Sequence, residues 1–330
     1  MTLPLPAEAI ALIGLAVVFD FLNGFHDSSN IVATMISSRA LGPRRALAIT
    51  AVAEAVSPFL FGVAVARTIG SEIVAEAAVS MPVIAAALIA AIAWNLVTWF
   101  LGIPSSSSHA LIGGIAGATV AGFGFGALRW AGLGKVLIAL FVSPILGLLV
   151  GYSLMKTILF VAQGMSPRVN LLFKRAQIAT ALGLALSHGT NDAQKTMGII
   201  TLGLIASGAL KTFAVPTWVI ALSAGAIALG TSLGGWRLIR TLGGRFYTVR
   251  PVHGFTAQVS SAAVILGAAL LGGPVSTTQV VSSAIVGAGS AERVSKVRWA
   301  VAQHILVAWL LTIPMSALLA AGAYVLVREA

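Results

Sequence analysis

GFHDSSNIVAT, residues 24–34, sets His26, Asp27, Ser28, Ser29 and Asn30 in one unbroken polar run. Apolar sequence leads into it from about residue 8. The whole chain is 58% hydrophobic and 9% charged, with a mean hydropathy of +1.00. A soluble domain carries roughly 25% charged residues. This composition cannot cover a water-facing surface, so the chain reads as an integral, multi-pass membrane protein. Three more polar islands interrupt the apolar background: PSSSSH at 104–109, GTNDAQK at 189–195 and PVSTTQ at 274–279. The islands fix the reading, because polar groups inside a bilayer need a reason to be there.

A helical span needs about 20 apolar residues, fewer where a segment re-enters. Apolar stretches lie near 8–25, 46–66, 80–101, 109–127, 133–163, 176–190, 197–210, 214–235, 257–272, 280–290 and 299–327. Several are short or interrupted. They predict an all-α polytopic fold of about 10–12 helical segments, with broken or re-entrant helices. Long alternating strands are absent, which argues against a β-barrel. The start of the chain lacks a basic region and carries Glu8 and Asp20, unlike a secretory signal. With no Cys, disulfides and thiolate metal sites are excluded. The net charge of +11 sits in clusters between apolar runs, at 39–45, 156–175, 237–250 and 293–298. That is the positive-inside pattern rather than a nucleic-acid surface.

The islands come in pairs. Gly24-Phe-His-Asp27 matches Gly189-Thr-Asn-Asp192 at an offset of 165, and Pro104–His109 matches Pro274–Gln279 at an offset of 170. Both pairs keep their order, which predicts a duplication. Loop charge predicts its sense. Loop 39–45 carries three Arg and 67–79 one Arg with two Glu, whereas 208–215 carries only Lys211 and 237–250 four Arg. Equivalent loops then face opposite sides, as in inverted-topology repeats. The expected organisation is a first repeat at 1–160, a connecting loop at 161–175 and a second repeat at 176–330.

In PSSSSH, Pro104 suits a first helical turn and Ser105, Ser106, Ser107 and Ser108 can cap it. Free N–H groups at such a start attract an anion. Ser276, Thr277 and Thr278 repeat the chemistry, so two helix starts can close on one anion. In the other pair, Gly24 and Gly189 are expected to break their helices, with Asp27 and Asp192 restarting them. Asp27, Asn30, Asn191, Asp192 and Gln279, with Asn23 beside them, supply oxygen ligands suited to Na⁺, and the carboxylates can instead take H⁺. An ionised Asp at a membrane-helix centre costs about 3 kcal/mol and calls for a partner.

Neither ion alone explains the set. Two like charges 4 Å apart repel by about 4 kcal/mol at an effective dielectric of 20. Lys195 is the only basic residue in the islands and cannot offset two Asp and a dianion. A cation should enter with the anion. Phosphate keeps a P–OH at neutral pH that can donate to a carboxylate, whereas sulfate has no proton to give. His26, His109 and His188 flank the islands and fit helix packing better than proton relay. Asp20 and Glu54 lie in apolar runs and are expected to pair with a base or hold water. Gln258 and Asn95 are candidates to line a cavity or to bond between helices. No nucleotide-binding loop appears in a strand–helix context.

NGFHDSSNIVAT at 23–34, WNLVTWFLGIPSSSSHALIGG at 94–114, LSHGTNDAQKTMGI at 186–199 and GGPVSTTQVVSSAIVG at 272–287 resemble the inorganic phosphate transporter (PiT) family. The resemblance implies inverted repeats and transport of orthophosphate, or a metal–phosphate complex, with co-transported Na⁺ or H⁺ and no resident cofactor. It assigns Asp27, Asn30, Asn191 and Asp192 to a duplicated signature, and Ser105–Ser108 with Ser276–Thr278 to the helix starts. His26 stands where many members have Asn, which resembles the bacterial low-affinity branch, often proton-coupled, and implies a bacterial inner membrane. The expected partners are phosphate and lipid, with a homo-oligomer open. The competing readings are a sulfate or other oxyanion symporter, an anion channel and an intramembrane hydrolase. For the last, Ser108 and His109 are adjacent and cannot face each other on a helix.

Overall fold

The computed structural model describes residues 5–242 and 249–329. Part of the basic run 237–250 therefore lies outside the described residues. Two series of helices follow one another. The first is α1 (Ala7–Ser37), α2 (Pro43–Val56), α3 (Ala64–Ser71), α4 (Met81–Leu101), α5 (Ser107–Phe123) and α6 (Trp130–Val161). The second is α7 (Val169–Ala206), α8 (Thr217–Leu233), α9 (Trp236–Arg240), α10 (Pro251–Leu270), α11 (Thr277–Glu292) and α12 (Trp299–Val327). Among the described residues the only β pairing is an isolated bridge between Val74 and Leu128.

Helices α1, α4, α6, α10 and α12 are long and apolar enough to cross a bilayer. A sixth crossing is available to residues 43–59 together with α3, which bend by 73° at their junction. Helix α7 is the longest at 38 residues, and its central polar run keeps its hydropathy low. It also shortens the link between the series. Helix α6 ends at Val161 and α7 begins at Val169, so 169–175, expected as loop, form the first two turns of α7.

A second expectation fails at the polar runs themselves. Both α1 and α7 stay helical through Gly24 and Gly189. Isolated Gly costs a helix only about 1 kcal/mol relative to Ala, which packing offsets here. A Cβ on Gly24 would collide with the Ile227 backbone of α8, and one on Gly189 would crowd Ser57 Oγ and Glu54 Cα. These glycines permit close approach rather than a break. The main-chain carbonyls remain in the helix ladder, so any cation ligands here must be side chains.

Helices α1 and α7 run antiparallel along their whole contact. Ser38 bonds to Gln177 at 2.8 Å, Asn23 faces Asp192 at 3.5 Å, and Leu12 packs over Gly203. The short helices cross between series: α5 lies on α12, and α11 on α6. Small residues make this possible, since a Cβ on Gly117 would strike the Ala317 backbone and one on Gly287 the Leu148 backbone. Pro144 and Pro314 fall inside α6 and α12, 170 residues apart, where each removes one ladder bond.

Candidate functional site

The starts of α5 and α11 are built alike. Helix α4 closes with Gly102 N–H donating to Trp99 O at 3.0 Å and Ile103 N–H to Thr98 O at 2.9 Å. Helix α10 closes with Gly272 N–H donating to Ala269 O at 3.1 Å and Gly273 N–H to Ala268 O at 2.8 Å. Gly102 and Gly272 hold φ of 68° and 72°, the left-handed turn that glycine adopts without strain. Ser106 then caps α5 by accepting from His109 N–H at 3.1 Å, and Ser276 caps α11 by accepting from Gln279 N–H at 3.3 Å. Pro104 accordingly stands two residues ahead of its cap, not in the first turn, because the serine hydroxyl takes the capping role.

The two starts face each other. Ser108 Oγ donates to Val275 O at 3.0 Å, and Gln279 Nε2 lies 3.4 Å from His109 Nε2. Around this junction the middles of α1 and α7 bring in the acids. Thr277 Oγ1 reaches Asp27 at 3.3 Å and Asp192 at 3.1 Å, so one hydroxyl lies between the two carboxylates. Thr278 Oγ1 donates to Asp27 at 3.0 Å, and Asn30 Nδ2 donates to Thr278 at 3.1 Å. Asp27, Asp192 and His188 present atoms within 4.8 Å of one another, close enough to share one ion.

Lys195 of α7 brings positive charge to the junction of the two starts. Lys195 Nζ donates to Ser108 Oγ at 2.5 Å, to Val275 O at 3.2 Å and to Asp192. It is 1% exposed, and a buried ammonium is tolerated only when paired in this way. His188 links the remaining groups, with Nδ1 2.7 Å from Glu54 and Nε2 3.3 Å from Asp192. Glu54 also accepts from Thr231, which bonds Gly24 O at 3.1 Å. His26 Nδ1 lies 2.9 Å from Asp27.

The residues picked out by sequence thus fall into three groups. Asp27, Asp192, Asn23, Asn30, Thr277 and Thr278 form one buried cluster. Asn191 sits beside it, its Nδ2 donating to Gly273 O at 3.3 Å. The side-chain oxygens of Asn23, Asn30 and Asn191 are buried without a hydrogen-bond partner. Ser107 and Ser108 are at the α5 start, and no side-chain hydrogen bond engages Ser107 among the described residues. Ser105, Ser106, Ser276 and Gln279 instead hold the starts in shape: Ser105 bonds Thr98 at 2.7 Å, and Gln279 turns toward His109. Asp20 is buried with neither carboxylate oxygen hydrogen-bonded.

Lys195, Glu54 and His188 belong to the cluster but were not among the residues picked out as ligands. Lys195 was legible, since i,i+3 spacing puts it on the helix face of Asp192. The position of Glu54 depends on how α2 packs against α7, which spacing does not reveal.

A family model described as "Phosphate transporter family" matches residues 23–320. A protein of Bacillus subtilis (strain 168) called a probable low-affinity inorganic phosphate transporter is 47% identical over 320 residues, covering 96% of each chain. One of the same name from Rhizobium meliloti (strain 1021) is 44% identical, covering 96% of this chain and 95% of the relative. A solved structure titled "The sodium-dependent phosphate transporter" superposes with a TM-score of 0.89 at 25% identity, over 98% of this chain and 100% of the other.

Proposed function

The chain belongs to the phosphate transporter family, and from that premise we propose that it is a secondary active transporter that carries inorganic phosphate together with a cation. Phosphate binds where the starts of α5 and α11 face each other. The unused N–H groups of Ser107, Ser108, Thr277 and Thr278, the Ser107 hydroxyl and the Lys195 ammonium supply the donors, and the Ser108 hydroxyl, given to Val275 O, ties the two starts together. Ser105, Ser106 and Ser276 keep the two starts in register. Asp27 and Asp192, with the side-chain oxygens of Asn23, Asn30 and Asn191, receive Na⁺ or a proton.

One observation carries this reading: three buried amide oxygens without donors belong to residues within four positions of Asp27 or Asp192 on the same helices, and one threonine hydroxyl joins those two carboxylates beside two facing helix starts. Oxygens without donors are what a cation seeks, and free N–H groups are what an anion seeks. The charge balance agrees. Asp27, Asp192 and Glu54 face one Lys and two His, so an added phosphate needs positive company.

The antiparallel course of α1 and α7 and the crossed packing of α5 and α11 support two inverted repeats, 1–160 and 176–330. Alternating access follows as one bundle rocks against the other. The membrane is a bacterial inner membrane. The family and the relatives are transporters, which sets the hydrolase reading aside.

The test is uptake of labelled phosphate by proteoliposomes. Accumulation above the equilibrium level, little affected by an equal concentration of sulfate, is expected. Mere equilibration would mean a channel. Abolition by equimolar sulfate would mean an oxyanion site without the proposed P–OH donation.

A further inference from the structure

Two arginines occupy matching places in the two series. Arg67 on α3 and Arg237 on α9 are separated by 170 residues, the offset that also relates loop 102–106 to loop 272–276. The backbone around them agrees. Val65 N–H donates to Gln194 on α7 at 2.8 Å, and Gly235 N–H donates to Ser28 on α1 at 2.9 Å. Each short helix is therefore pinned at its start to the acid-bearing helix of the other series. Ser71 and Thr241, also 170 apart, each bond back to the arginine's own carbonyl, at 2.7 Å and 3.2 Å.

Their dealings with the facing loop differ. The Arg237 guanidinium donates to Phe100 O and lies 5.3 Å from the Trp99 ring and 5.1 Å from the Phe100 ring. Thr241 adds a bond to Gly102 O at 3.2 Å. The loop ahead of α5 is thus fastened at the end of α9. Among the described residues the Arg67 side chain makes no hydrogen bond, and with Leu270, Leu271 and Gly272 it lines an open cavity of about 420 Å³. No bond joins Ser71 to Gly272. The loop ahead of α11 instead rests nearer the start of α3, where a Cβ on Gly272 would lie 3.2 Å from Thr68 Oγ1 and 3.4 Å from Ala64 O. A Cβ on Gly102 would meet nothing within 4 Å. The two loops are docked one to two helical turns apart on equivalent helices, a shift of roughly 5–10 Å.

We propose that Arg67 and Arg237 are alternating latches: in the state opposite to this one, Arg67 donates to the Leu270 carbonyl while Arg237 releases Phe100. The inference rests on the alternating-access reading above. In inverted repeats, equivalent elements exchange environments between the two states. Phe100 O, which Arg237 holds, has Leu270 O as its equivalent beside Arg67. What now steadies α3 at that end is Arg129, which donates to Ser71 O at 2.8 Å, together with the ion pair of Lys135 with Glu72 at 3.0 Å; both contacts are exposed, and exposed charge contacts yield easily. Ala269 and Leu270 stand where Trp99 and Phe100 flank Arg237, so the Arg67 latch lacks the ring contacts. The Arg237-latched state is therefore the more populated one without substrate. Both arginines act as positioning residues, because neither contacts the buried cluster.

The absence of Cys makes the test direct. T241C/L101C reports the state seen here and S71C/L271C the opposite one, with both arginines intact. In proteoliposomes, thiol cross-linking should favour the first pair, and R237A should raise the yield of the second relative to the first by about tenfold, the worth of one charged hydrogen bond at an exposed site. R67A should move the ratio the other way, and R67K should restore it. Ratios that shift in the same direction in both alanine variants, or in neither, overturn the latch. A protein that accumulates phosphate with an unmoved ratio loses only the latch. A protein that moves no phosphate loses the transport reading, whatever the cross-links show.

Discussion

The starts of α5 and α11 share a cap, a loop and a closing turn, yet they diverge one residue into the helix. At α11, Thr277 and Thr278 turn their hydroxyls onto Asp27 and Asp192. At α5, no side-chain hydrogen bond engages Ser107 among the described residues, and Ser108 accepts from Lys195. The hydroxyls of one start therefore meet carboxylates and a hydroxyl of the other meets an ammonium, which also reaches Val275 O ahead of α11. The difference teaches how a duplicated site handles two ions. On the proposed function, the α5 start is the one that receives phosphate, and the α11 start is the one that couples it to whatever neutralises the acids.

Removing an acid should break the comparison outright. In D27N the α11 start loses the carboxylate that two threonines hold, and cation-coupled uptake should fall to background while the protein still inserts. Wild-type-like uptake in sealed vesicles would take Asp27 out of the cation site. K195M attacks the other side by leaving Asp192 buried without its ammonium. Loss of one partner of a buried pair costs about 3–5 kcal/mol, so melting in detergent should drop clearly, with weaker phosphate binding in what remains folded. An unchanged melting temperature would show that the pair is not formed.

Two hydroxyl deletions sharpen the contrast. S107A should raise the apparent phosphate KM roughly 2- to 10-fold, the worth of one hydrogen bond, and leave the cation dependence alone. T277V should do the reverse, shifting the cation concentration for half-maximal uptake by a similar factor. If both variants changed only the phosphate KM, the two starts would not be specialised. The smallest effect belongs far from the junction. S38A removes one bond to Gln177, whose amide still reaches Pro251 O at 2.9 Å. It should cost about 1 kcal/mol of stability with uptake kept, as thermal unfolding and initial rates can check.

Much of this was legible in residue order. The paired islands located both helix starts and both acids, because helix caps and intramembrane acids have few substitutes. Continuity through Gly24 and Gly189 was not legible, since glycine reads equally as a break or as a close approach, and only the α8 and α2 neighbours decide between them. The beginning of α7 at Val169 was missed because its first turns carry Lys174 and Arg175, which read as loop charge. Lys195 was seen but not placed in the site, and Glu54 entered it through helix packing. The Lys195 pairing was available from local helix spacing, whereas the place of Glu54 depends on which surfaces meet, a property of tertiary contact rather than of any one segment.

Phosphate flux into sealed proteoliposomes, with Na⁺ and pH gradients imposed one at a time, tests the coupling most directly. An inward gradient of one of these cations should drive phosphate well above its equilibrium level, and collapsing that gradient with an ionophore should release it. Phosphate that equilibrates equally fast with either gradient present or absent would mean that the acids around Thr277 take no part in transport.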